Sequence, residues 1–203
     1  MVLPEIILGQ LLQVFKSEGI ERHTEEELME RLGIQQSDYN ALFSSKADMV
    51  RQVVQHDLYL GEQRDQELLQ SARNPVEEII LLLLHGIREL QAISPVYIYD
   101  MQQFYPQVWQ LCLDHLNTYN HDLNFGVINK GVVQGYFRKD INLQLVTKII
   151  LEQFNLIINP HVFPPDRYEM GEVFRSIYLY YVRGLCTDKG SKLAEDYFSK
   201  SNI

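Results

Sequence analysis

Apolar residues along the chain recur at three- and four-residue spacings almost throughout, and alternation with a period of two never lasts more than a few positions. The pattern predicts an all-α chain of about nine or ten helices. Pro4 to Glu18 reads as a first helix, with Ile7, Leu11, Val14 and Phe15 on one stripe and Gly19 past its end. Thr24 to Leu32 opens on an N-cap threonine, and Glu27, three residues on, completes a capping box. Leu32-Gly33-Ile34 then ends that helix with a residue free to take positive φ. Gln35 to Phe43 follows, with Tyr39, Leu42 and Phe43 inward and Gln36, Ser37, Asn40 and Ala41 outward. Two short helices joined by a tight glycine turn form a helix-turn-helix.

A longer helix begins at Ser45 or Lys46, carrying Met49, Val50, Val53, Val54 and Leu58 on its apolar face, and turns polar after Gly61. Asn74-Pro75 caps a helix over residues 76–93 that is apolar nearly all round at Ile79 to Leu84, as a buried helix is. Ser94-Pro95 starts a short aromatic helix. Pro106 begins one long helix to about Gln134, with Val108, Leu111, Leu116, Tyr119, Leu123 and Val127 inward. Residues 135–140 form a turn, 143–158 the next helix, and His161 to Arg167 a proline-rich loop. Glu169 to Leu185 presents Phe174, Tyr178 and Tyr181 on one face; Thr187 to Gly190 turns, and Ser191 to Lys200 closes the chain with a short helix.

The order Phe15, Gly19, Thr24, Leu28, Leu32-Gly33-Ile34, Phe43 and Lys46 resembles the N-terminal DNA-binding domain of the TetR family of bacterial regulators. Over the remainder, the chain agrees with that family in length and helical character. The resemblance implies a three-helix helix-turn-helix domain over residues 1–50 and a larger helical ligand-binding and dimerisation domain over 51–203. Gly135, Arg138 and Asp140 match a turn common in the family. The helices after it, 143–158 and 169–185, are those that would pair with their copies in a homodimer, the arrangement a half-site reader needs.

Charge complicates this picture. The chain carries a formal net charge of −9. Residues 1–55 hold Lys16, Arg22, Arg31, Lys46 and Arg51 against nine carboxylates, so the expected reading head is itself net −4. Binding to duplex DNA is driven largely by neutralising phosphates, and a reader normally shows a basic patch. A basic ridge of Arg22, Lys46 and Arg51 would restore that patch locally, whereas pairing of these cations with the glutamates would not.

Matched position by position, the resemblance makes Thr24 and Lys46 phosphate contacts. Gln35, Gln36 and Ser37 sit at the start of the recognition helix, where side chains reach base edges, and Gln36 has the amide for bidentate pairing with adenine. Asn40 stands where the family commonly has tyrosine. Asp38 places a carboxylate where phosphate is often met, and Met29 replaces a small residue. These departures sustain an alternative, a TetR-like fold with weakened DNA binding acting as a ligand- or protein-binding module.

The large domain is rich in aromatics, and Tyr97, Phe104, Trp109, Tyr119, Phe154 and Tyr178 are candidates to line a pocket for a small apolar or aromatic effector; any one of them could equally fill the core. Chemistry of other kinds finds little support. Cys112-x-x-His115 and the pair His85 and Glu89 lack further ligands at metal-site spacing. There is no glycine-rich phosphate loop and no G-x-S-x-G, so neither an enzyme nor a cofactor is expected. The first residues lack a signal peptide's basic region, and the longest aliphatic run, Ile79 to Leu84, is far too short to span a bilayer. Two distant cysteines, Cys112 and Cys186, fit reduced thiols in a cytoplasm. The expected function is a cytoplasmic, ligand-released repressor bound to a double-stranded operator.

Overall fold

The computed structural model describes residues 4–200, which form eleven α-helices and one π turn; no strand forms among them, and Phe137 and Cys186 make an isolated bridge. The expectations for the first three residues and for 201–203 lie outside the described residues. No single helix among those described is long and apolar enough to cross a membrane. The chain condenses into two compact units, residues 4–63 with 92–114 and residues 64–91 with 115–200.

The first unit holds α1 (Pro4–Glu18), α2 (Glu25–Leu32), α3 (Gln36–Leu42), the start of α4 (Lys46–Ser71), α6 (Pro95–Phe104) and most of α7 (Pro106–His115). The boundary expected at residue 50 falls inside α4. Thr24 and Glu27 form the reciprocal capping box, and Gly33 ends α2 at φ 64°. Only a residue without Cβ takes that left-handed conformation at little cost. Leu11, Phe15, Ile20, Leu28, Met49, Val50 and Val53 are wholly buried, joined by Tyr97 and Met101 from α6. Each such side chain contributes roughly 1.5–3 kcal/mol on leaving water. Met29 is also buried, so the larger side chain is absorbed by the core.

The second unit contains the end of α4, nearly all of α5 (Pro75–Ala92), α8 (His121–Val133), α9 (Leu143–Ile157), α10 (Met170–Leu185) and α11 (Asp188–Lys200). Asn74 Oδ1 accepts from the amides of Val76 and Glu77, and Asn142 and Glu169 cap α9 and α10 likewise. Val76, Ile80, Ile128, Phe137, Val182 and Ala194 form its core. Phe137 lies so close over Gly131 that a Cβ there would meet the ring at 2.0 Å.

Two expectations are corrected. The helix expected to run unbroken from Pro106 to Gln134 widens into a π turn at Leu116–Asn120. Asn117-Thr118-Tyr119-Asn120 is a run of poor helix formers, and side chains hold the widened turn: Asn117 accepts from Lys148 Nζ at 2.9 Å, and His115 stacks on Tyr119. This break also takes the helix total to eleven. The last helix starts at Asp188 rather than Ser191, because Thr187 takes the cap: its carbonyl accepts from the Ser191 amide at 2.8 Å.

Candidate nucleic-acid interface

α3 presents Gln36, Ser37, Asp38, Asn40 and Ala41 to solvent while Tyr39 and Phe43 anchor it, their rings meeting edge-on at 5.3 Å. Gln35 is its exposed N-cap residue and makes no side-chain cap bond. Gln36 Nε2 donates to Asn40 Oδ1 at 2.9 Å, which sets both amides on one ridge and leaves the Gln36 carbonyl and one N–H for a base edge. Thr24 Oγ1 accepts from the Glu27 amide at 3.2 Å and keeps its own proton to give. Thr24, Gln35, Gln36, Ser37 and Asn40 are all exposed, and Lys46 is partly so.

The basic ridge does not form. Each of the five cations in residues 4–55 has a carboxylate partner: Lys16 with Asp57, Arg22 and Arg31 with Glu18, Lys46 with Glu21, and Arg51 with Asp48. Arg31 grips Glu18 through both terminal nitrogens, at 2.7 and 3.2 Å, and this holds the Glu18 carboxyl below its usual range. The Ser44 amide, and then Arg51, draw Asp48 down to about 2. Such pairs on a surface are screened by solvent and stabilise the fold little. Their larger effect is to neutralise charge.

Sequence reasoning missed two residues that shape this surface. Asp100 of α6 is buried and accepts from the amides of Ile20 and Glu21 at 2.7 and 3.0 Å, tying down the connection between α1 and α2. The Tyr105 hydroxyl donates to Glu21 Oε1 at 2.5 Å, and the same oxygen pairs with Lys46 Nζ at 3.2 Å. Tyr105, ahead of Lys46, keeps Glu21 ionised below the usual carboxylate range. Lys46 also donates to the carbonyl of His23 at 2.8 Å. His23 itself is buried, with Nε2 lying 3.5 Å from Glu18 and making no hydrogen bond, and burial pushes its imidazole down.

The six aromatic candidates divide between the units. Tyr97 is buried in the first unit's core, Trp109 is half-buried against that core, and Phe104 is exposed. In the second unit Tyr178 stacks on Phe174 at 4.0 Å and donates to the carbonyl of Ile150, while Tyr119 stacks on His115 and Phe154 is half-buried. Two surface hollows, of 430 and 270 Å³, lie in the second unit, and none of the six lines either. Among the described residues no group of three or more His, Cys, Asp or Glu is placed to hold a metal. Burial raises the Cys112 thiol to about 12, far from a reactive thiolate.

No protein-family model matches the chain. It is 24% identical over 149 residues to the HTH-type transcriptional repressor KstR2 of Mycobacterium tuberculosis, covering 70% of this chain and 74% of the relative. A TetR transcription regulator from Haloarcula marismortui superposes with a TM-score of 0.75 at 18% identity, covering 91% of this chain and 98% of the other. This chain has the TetR fold. Two further solved structures share it: the ketosteroid transcriptional regulator KstR2 of M. tuberculosis at TM-score 0.61 and 20% identity (91% and 95% covered), and the TetR family regulator PfmR from Thermus thermophilus at 0.61 and 20% (89% and 99%). The two helices joined at Gly33 lie within the part of the chain that this fold likeness covers, and α3 is anchored by aromatics on one side and polar on the other.

Proposed function

We propose that this chain is a cytoplasmic, homodimeric DNA-binding transcription regulator of the TetR type, a repressor released from its operator by a small apolar or aromatic effector. The observation that carries the reading is the capped helix-turn-helix with an exposed, amide-bearing α3. Gln35, Gln36, Ser37 and Asn40 read base edges, and Thr24 and Lys46 meet phosphates. The repressor KstR2, which the chain resembles, supports the regulatory role, and its description as a ketosteroid regulator supports an apolar effector. The module alternative is not favoured, because α3 retains a readable face and the curated relative KstR2 is a repressor.

The dimer is supported by the second unit. Leu145, Ile149 and Leu156 of α9 and Tyr180 of α10 stand exposed, and the carbonyl oxygen of the Gln153 side chain is buried without a partner among the described residues. A second copy would cover this apolar face. Effector and operator are then linked: an effector favouring a conformation with displaced heads weakens DNA binding by the factor by which DNA weakens effector binding.

Selection of genomic fragments at low salt tests the reading. A specific duplex whose affinity falls linearly on a log–log salt scale is expected. Gln36→Ala should then lose about 1–3 kcal/mol of discrimination at a single base pair. No duplex retained at low salt would overturn the proposal.

A further inference from the structure

The five cation–carboxylate pairs of the head are not equivalent. Arg22 and Arg31 share Glu18 on the surface, Arg51 meets Asp48 within its own helix, and Lys16 is buried against Asp57. The fifth is built into a three-membered arrangement: Tyr105 Oη, Glu21 Oε1 and Lys46 Nζ meet around a single oxygen, at 2.5 and 3.2 Å. Glu21 is also fixed from its backbone side, since its amide donates to the buried carboxylate of Asp100. The glutamate is therefore placed by two residues of the α6 segment, and only then offered to the lysine. Lys46 in turn is less than a quarter exposed, with its ammonium shared between Glu21 and the carbonyl of His23.

A carboxylate oxygen held against an ammonium presents the same charge and acceptor geometry as a phosphate oxygen. We infer that Glu21 is an internal competitor for DNA phosphate at Lys46, held in position by Tyr105, and that it sets how tightly the head binds duplexes. Lys46 contacts a phosphate only by giving up Glu21, so part of the contact is cancelled. This rests on the reading of the head as a DNA binder and adds the residue that restrains it. Tyr105 acts through Glu21 and is a positioning residue.

The experiment measures binding of the full chain to a mixed-sequence DNA duplex across a low-to-moderate salt series, with helical content and melting recorded for each variant. Glu21→Gln should bind about tenfold tighter at low salt, the scale of one competed phosphate contact. Loss of a negative charge alone would give some gain by general repulsion, so the deciding comparison is a double-mutant cycle. In a Lys46→Gln background the Glu21→Gln gain should vanish. Tyr105→Phe leaves every formal charge in place and should bind two- to threefold tighter, on the order expected for freeing a carboxylate from one hydrogen bond. A gain that persists without Lys46, or affinity unmoved by both Glu21→Gln and Tyr105→Phe, overturns the competitor while leaving DNA binding standing. If Glu21→Gln does not fold, Tyr105→Phe decides alone. Failure of every chain, wild type included, to bind the duplex at low salt overturns both readings.

Discussion

α3 and α9 each leave a face to solvent, and the two faces differ in kind. α3 offers amides, a hydroxyl and one carboxylate; α9 offers Leu145, Ile149 and Leu156 with Lys148 and Glu152 paired between them. A polar face of this kind has directional donors and acceptors, and it gains most from a partner that returns them in register, as a base edge does. An apolar face gains from area alone and accepts any complementary surface that excludes water. The first is built for discrimination and the second for adhesion. Burial follows the same division. α3 is seven residues long and held by Tyr39 and Phe43, whereas α9 buries Thr147, Ile150, Leu151 and Ile157 and still has apolar side chains to spare.

The contrast is broken most severely on α9. Ile149→Asp would bury an unpaired carboxylate in the proposed contact between copies through α9, at a cost of about 3 kcal/mol or more, so self-association should weaken by at least about a hundredfold. Sedimentation velocity should show the dimer of the wild type replaced by monomer with helical content kept; a variant that still dimerises at wild-type concentration would place the contact elsewhere. On the head, Asp100→Ala would leave the buried amides of Ile20 and Glu21 without their acceptor. Stability measured by urea should fall by about 2 kcal/mol. An unchanged midpoint would mean that water replaces the carboxylate.

The smallest effect is one of acidity. His23 is buried, and its folded imidazole lies below the ordinary value of 6.5. The unfolded chain therefore takes up this proton first, so stability should decline as pH falls below about 6.5 and stop declining once the folded imidazole is also protonated. His23→Gln should flatten this part of the pH profile. A wild-type profile already flat there would show that Glu18, 3.5 Å away, offsets the burial.

Most of the fold could be read from local signals. Thr24 with Glu27, Gly33, Asn74 and Ser94 announce helix ends within three residues of themselves, and all four act as such. The outward side of α3 followed from the placement of Tyr39 and Phe43. The π turn could not be read this way, because an apolar stripe of period 3.6 continues across it and only the polar run beneath marks the change. The head was harder. Counting charges gave its sign but not its pairing: that Lys46 faces Glu21, rather than solvent, depends on the path of the chain after Gly19. Asp100 and Tyr105 stand 80 and 84 residues from Ile20 and Glu21, their partners, and no periodicity links residues at such separations. The aromatics were ambiguous for a related reason. Tyr97 as core and Phe104 as surface belong to the same short helix and carry the same sequence signal.

On the DNA-binding reading proposed above, the pairing of the head's cations has a kinetic and statistical corollary. Every regulator shares its time between one operator and a vast excess of other sequence, and its grip on that excess comes almost wholly from free cations meeting phosphates. A head whose lysines and arginines are already paired would give up that general grip first, while the exposed amides of α3 would be left to discriminate. Fewer molecules are stranded on irrelevant sequence, sliding along the duplex is shorter, and arrival depends more on encounters in three dimensions. An operator would then be occupied with fewer copies of the protein, at the expense of a slower search.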